Sequence, residues 1–244
     1  MRHLFVTYNE RETVQTVMCG RYTLFTPQLE LEERFDATFD GFEPRYNAAP
    51  GQSLPVITDA RPDDTRRLQW GLVPRWADDA SNAHINARSE TAADKPAFDD
   101  AYRNRRCLVP ADGFYEWVEE AGGKQPHRVA YKDDKPFAMA GLWERWTPET
   151  RQAGLGDFGS GASDPAEAEP LETFTILTTE PNEVVEPLHH RMAVVLAPEE
   201  ESAWLEGEAV SFDPAPAAEF RSYPVSTAVN SPGNDDPELV RSIE

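Results

Sequence analysis

A cysteine with a free α-amine carries two nucleophiles on adjacent carbons, and Met18-Cys19-Gly20-Arg21 is the stretch of this chain that can supply one. Methionine before a small residue is the context in which an initiator methionine is trimmed away. With translation from Met18, Cys19 becomes the first residue. Its α-amine, with an ordinary pKa of about 7.7–8.0 against about 10.4 for lysine, is then appreciably neutral near pH 7. As written, residues 1–17 precede Met18 and hold that nitrogen as an inert amide.

Three further polar clusters sit inside otherwise apolar text: His84-Ile85-Asn86-Ala87-Arg88-Ser89-Glu90-Thr91, then Pro110-Ala111-Asp112-Gly113-Phe114-Tyr115-Glu116-Trp117, then Pro187-Leu188-His189-His190-Arg191-Met192. Each sets a titratable or amide group beside residues that should pack a core, where desolvation tunes acid–base strength. Each also has an ordinary structural use, as an Asn capping a turn, a Glu pairing an Arg or a His bonded to backbone.

The elements that must position these groups are mostly short strands. Apolar runs bounded by Pro, Gly, Asn and Asp mark them at 20–25, 53–58, 65–70, 106–110, 115–118, 127–131, 137–142, 173–178 and 193–196. Mixed charged and apolar text at helical spacing predicts helices over 27–35, 95–104, 183–186 and 198–206. Residues 152–172, rich in Gly, Ala, Ser, Pro and acids, have no periodicity and read as a flexible insertion. The expected organisation is an N-terminal extension over 1–17, a mis-assigned start or a propeptide, followed by one α+β domain over 18–244. Its core is mainly antiparallel, with a few peripheral helices.

At 244 residues the chain can bury one sizeable core. Its net charge is −21, and only four of its 23 basic residues are lysines (Lys95, Lys124, Lys132, Lys135). That balance fits a protein kept soluble in concentrated salt, and a halophilic source is expected. Two cysteines, Cys19 and Cys107, make no disulfide framework, so a reducing cytoplasm is expected. Cys107 reads as a core residue. No apolar run reaches the roughly 18 residues of a membrane span. The five histidines show no metal-ligand spacing, so neither a metal nor a cofactor is expected.

MCGRYTL, RYNAAPGQ, WGLVPRWA, NARSET, the run 106–117, AGLWERW, ILTTEPN, HHRM and YPVSTAVN, in that order, resemble the SOS-response-associated peptidase (SRAP) family. The resemblance begins at Met18, runs to the C-terminus and is interrupted by the insertion. It implies a barrel-like antiparallel fold and a protein of the DNA-damage response that shields abasic sites in single-stranded DNA through a covalent link, with peptidase and lyase chemistry. By matching motif, Cys19 is the nucleophile, Glu116 the general acid–base and His189 the group that protonates the sugar ring oxygen. Asn86 orients amine and sugar, Arg21 and Arg88 clamp the flanking phosphates, and Pro50 and Trp76 offer surface for base stacking. The chain departs from the family at Ala193, where proline commonly follows Arg-Met, and at Ala77, where some members carry a second tryptophan.

Alternatives remain at this point. A thiol autopeptidase would cut before Cys19 and so create the amine that DNA capture needs. A noncovalent single-strand binding module would use the same surface without the chemistry. A monomer is expected in each case.

Overall fold

The computed structural model describes residues 20–81, 83–120, 122–147 and 169–244. Cys19, the extension before it and most of the expected insertion lie outside the described residues. In chain order the elements are β1 (Tyr22–Leu24), α1 (Gln28–Phe35), β2 (Arg45–Ala48), β3 (Ser53–Thr58), β4 (Arg61–Trp70) and β5 (Asn86–Arg88). Then come α2 (Ser89–Ala92), α3 (Asp99–Asn104), β6 (Arg106–Ala111), β7 (Gly113–Glu120), β8 (Gly123–Tyr131) and β9 (Phe137–Trp146). The chain ends with β10 (Leu171–Thr179), β11 (Met192–Ala193), α4 (Glu201–Leu205) and β12 (Phe220–Pro224). The last two residues of the expected insertion therefore belong to a strand.

Five strands close into a barrel. β10, β4, β3, β6 and β9 follow one another by hydrogen bonding, and β9 pairs back onto β10 from Leu171↔Trp146 to Ile176↔Gly141. Only the β10–β4 seam of this ring is parallel. The wall of β9, FAMAGLWERW, is buried at nine of its ten positions, because one face fills the barrel and the other is covered. Trp204 of α4 provides part of that cover, donating its indole N–H to the Cys107 carbonyl at 3.1 Å. Arg106 is held over the rings of Tyr102 and Trp204, 4.9 and 4.2 Å from their centroids. The expected α+β class with a barrel-like antiparallel core and few helices is the observed one.

A second sheet, in the order β12-β8-β7-β1-β2, is wholly antiparallel. Because side chains alternate along a strand, one face carries Tyr22, Phe114 and Val129 toward the barrel. There the Tyr22 ring meets Trp70 at 5.3 Å. The other face carries Tyr115, which joins Val225, Val229 and Leu239 of the C-terminal segment in a small second core.

Asp112 pins the start of this sheet. Its buried carboxylate accepts from the Thr23 hydroxyl (2.6 Å) and from the backbone N–H groups of Phe25 (2.5 Å) and Thr26 (2.9 Å). Arg128 of β8, equally buried, closes the brace on the Asp112 carbonyl (2.8 Å) and carboxylate (3.3 Å). Gly113 leaves room beside it, since a Cβ there would stand 2.8 Å from the Arg128 guanidinium and force it to shift.

Two expected helices differ, and of the strand expected over 193–196 only β11 (Met192–Ala193) forms. Residues 183–186 form turns rather than a helix, because the Asn182 side chain accepts from the N–H groups of Val184 and Val185 and holds them in a capped turn. The helix expected over 95–104 narrows to α3, after a separate turn in which Phe98 donates to Lys95.

Candidate active site

The candidate groups gather where β10 changes partners. Its first half runs between β9 and β4. Beyond Ile176, β5 lies alongside in parallel (Ile176↔Asn86, Thr178↔Arg88), and β11 enters opposite (Thr178↔Ala193, Thr179↔Met192). Asn86 and the His189–Arg191 segment are thus delivered to the same end of the barrel by one strand. An ion pair ties them together. Arg191 is bidentate to Glu90 of α2, at 2.5 and 2.7 Å, and donates to the Thr178 carbonyl at 2.6 Å. That hydrogen-bonded guanidinium holds the Glu90 carboxyl below its ordinary range.

His189 is buried. Its Nδ1 lies 3.1 Å from the Arg191 backbone nitrogen, an N–H donor, and 3.2 Å from that residue's carbonyl. Accepting from the N–H puts the ring proton on Nε2, a buried atom with no hydrogen-bond partner among the described residues. Burial lowers the imidazole pKa, the backbone contact opposes this, and neighbouring His190 and Lys124 add to the lowering. His189 is therefore neutral at pH 7 and able to donate from Nε2. The influence of Lys124, on β8, also places the β7–β8 hairpin within electrostatic reach of His189.

Glu116 sits on β7, 1% exposed. The register of β1 on β7 pairs Tyr22 with Phe114 and Thr23 with Gly113, and the Tyr115 N–H donates to the Arg21 carbonyl at 3.0 Å. Continued by one residue, this antiparallel register sets Gly20 opposite Glu116. Gly20 carries the peptide bond to Cys19. The same strand reaches Asn86 through packing, since Tyr22 meets Trp70 and the Trp70 indole N–H donates to the Ile85 carbonyl at 2.9 Å. Gly20, Glu116 and Asn86 are thereby linked by one strand register and two contacts.

The remaining expected residues divide. Arg88 is exposed and forms no ion pair with a described residue. Arg21 is half-buried on the Tyr115 face of its sheet, opposite the face of Glu116, and donates to the Val229 carbonyl at 3.0 Å. Pro50 lies in the turn after β2, held to Trp70 by the Gly51 N–H at 2.8 Å. Trp76 is 63% exposed, with its indole N–H on the Pro96 carbonyl at 3.1 Å. An open cleft of about 910 Å³ beyond His190 is lined by Glu180, Glu183 and Glu186, which suits no phosphate. Sequence reasoning passed over Arg191 and His127, although Arg191 stood in a quoted cluster and His127 on an expected strand. Among the described residues no cluster of His, Cys, Asp or Glu could hold a metal ion, and no helix is long and apolar enough to cross a membrane.

Asn86 and the neutral imidazole of His189 share one end of the barrel, and the buried Glu116 carboxyl lies on the sheet packed against that barrel. Residues 18–232 match the model of the SOS response associated peptidase (SRAP) family, and the chain belongs to it. It is 39% identical over 243 residues to the abasic site processing protein YoqW of Bacillus subtilis, covering 92% of this chain and all of that one. It is 33% identical to the abasic site processing protein HMCES of Gallus gallus, covering 83% of this chain and 67% of that one. A solved structure from Bacteroides thetaiotaomicron superposes with a TM-score of 0.76 at 25% identity, over 92% of this chain and 99% of that one.

Proposed function

We propose that the chain acts on abasic sites in single-stranded DNA and captures them covalently through Cys19 once the residues before it are removed. The observation that carries this reading is the register that leads Gly20, and with it the attachment of Cys19, past the buried Glu116. The names of the relatives at 39% and 33% identity supply the substrate class.

An abasic deoxyribose equilibrates between a closed ring and an open aldehyde at C1′. His189 donates a hydrogen bond from Nε2 to the departing ring oxygen, which takes up the proton released by the anomeric hydroxyl, and so favours the aldehyde. The neutral α-amine of Cys19 adds to C1′, and Glu116 moves the protons that release water and leave an imine. The thiol of the same residue then adds to the imine carbon, its proton passing to nitrogen. The five-membered thiazolidine so formed joins protein to DNA with loss of one water. Holding both nucleophiles on one residue makes the second addition intramolecular, worth several orders of magnitude in effective concentration. Asn86 orients the sugar, Arg88 meets a flanking phosphate and Trp76 stacks on a neighbouring base. Arg21, turned to the other face, supports the Val229 segment in this structure and would reach phosphate only by leaving that carbonyl.

Mass spectrometry tests the reading. The purified protein should begin at Cys19, and an abasic single-stranded oligonucleotide should add its own mass less one water. A Cys19→Ser protein that formed an equally stable adduct would refute it.

A further inference from the structure

Glu116 is almost wholly buried, yet the proposed chemistry requires it to gain and lose a proton in each cycle. Its direct cross-strand partner is His127 of β8. Residues directly opposite in an antiparallel pair project from the same face, with Cβ atoms about 4.5–5.5 Å apart. His127 is half-buried, partly covered and partly open to solvent. Its Nδ1 is buried and has no hydrogen-bond partner among the described residues. On its other side lies Pro224 of β12, which cannot titrate. The charged groups that act on it are carboxylates: Glu120 on β7, on the Glu116 face, and Glu244 of the C-terminal segment, held near by the Ile243 N–H on the Pro224 carbonyl. Its neighbours two residues away on β8, Gln125 and Val129, carry no charge. Burial nevertheless outweighs both carboxylates and keeps the ring neutral at pH 7.

We infer that His127 is a positioning residue that carries protons between the buried Glu116 carboxyl and solvent. The inference rests on the capture reading above. In the relay, Nδ1 accepts, through one intervening water, the proton that Glu116 releases while Nε2 gives one to solvent. The imidazole ends neutral with its tautomer exchanged, and the reverse sequence reloads the carboxyl. Glu116 thus keeps a dry surrounding for the imine step without being cut off from bulk protons.

The test measures adduct formation with an abasic single-stranded oligonucleotide from pH 5 to pH 8, for wild type and His127→Gln, both with Cys19 exposed. The imidazole can accept a proton only above its own pKa, which lies below 6.5. The ratio of variant to wild-type rate should therefore rise toward one as pH falls through that lowered pKa, where wild type loses the relay by protonation. At pH 7–8 it should fall to about a tenth, a part of the hundredfold or more that a positioned acid–base group contributes. A ratio that stays constant with pH, whether at one or below it, overturns the inference, since a packing defect lowers the rate equally throughout. Wild-type protein that forms no adduct at all overturns the capture reading itself, an outcome distinct from wild type and His127→Gln reacting alike.

Discussion

Replacing Asp112 by alanine should destabilise the protein more than any other single change outside the apolar core, and the brace it forms sets the scale. Asp112 and Arg128 have side chains only 2% exposed, so alanine at 112 strands a buried guanidinium. Breaking a buried ion pair in this way costs about 3–5 kcal/mol. Two backbone donors, at Phe25 and Thr26, lose their acceptor as well, each worth about 1–3 kcal/mol if it stays dry. Relaxation and water entry keep these from adding in full, so the expected loss is about 4–6 kcal/mol. Against a typical total of about 5–15 kcal/mol, such a protein would be close to unfolding at 37 °C. At about 2–4 °C per kcal/mol for a chain of this size, Tm should drop by roughly 10–20 °C. Urea denaturation of Asp112→Ala, Arg128→Met and the double variant decides the matter. Removing both charges relieves the stranded one, so the double variant should lose at least about 1 kcal/mol less than the two single losses together. An Asp112→Ala loss below about 1 kcal/mol, or strict additivity, would refute the brace and with it the account of what holds β1 in register beside Glu116.

Three further outcomes are expected. Trp76→Ala should weaken binding of undamaged single strands by about 1–3 kcal/mol in fluorescence anisotropy, while Tm stays nearly fixed because the ring is exposed. Glu90→Gln should cost about 1–2 kcal/mol at pH 7, discounted because the Glu90 side chain is 48% exposed. The folded-state pKa of Glu90 is depressed, so its contribution is present above the ordinary value of 4.5 and fades as pH falls through the lower, folded one. Thermal melts of the two proteins should converge in acid, and a gap that persists there would exclude the ion pair as its cause. Cys107, fully buried and with its thiol pushed well above its ordinary pKa by burial, should resist iodoacetamide until the protein unfolds. Native labelling confined to Cys19, with both cysteines modified in denaturant, is the result that mass analysis should show.

What the sequence revealed followed from local patterning, and what it concealed followed from pairing at a distance. Runs such as 53–58 and 106–110 announced strands by β-branched and apolar content, and they appear with those bounds or one residue more. β2 was missed because RYNA is too short and too polar to mark itself, and β12 because FRSYP carries a proline at its end. β5 was hidden inside a motif: Asn86–Arg88 becomes a strand only because β10 lends it a partner. The polar clusters were visible as clusters, but nothing local said that Glu90 and Arg191, 101 residues apart, would clamp two of them together. Nor could alternation alone assign Arg21 to the Tyr115 face, since that depends on which face of the second sheet meets the barrel. His127 was visible as a histidine on a strand, and only the register of β8 on β7 set it against Glu116.

The charge of the chain bears on why capture would be covalent. With a net charge of −21, most of the surface repels phosphate, although at physiological salt the Debye length of about 8 Å confines that repulsion to nearby groups. Many arginines are already committed to carboxylates, as Arg34 is to Glu201, Arg66 to Glu172, Arg105 to Glu144 and Arg191 to Glu90. Of the two arginines expected at the DNA, Arg21 is engaged by a carbonyl and Arg88 alone is exposed. Few phosphates can then be neutralised, and because the salt dependence of single-strand binding scales as roughly −0.7 per phosphate contacted, the electrostatic share of affinity is small. Stacking on Trp76 tolerates any base and so cannot find a lesion. In the proposed reading, discrimination comes from a feature that an abasic sugar has and an intact nucleotide lacks, its aldehyde. In the proposed capture, the amine and thiol of Cys19 would read that feature directly, with a selectivity that does not draw on the surface charge.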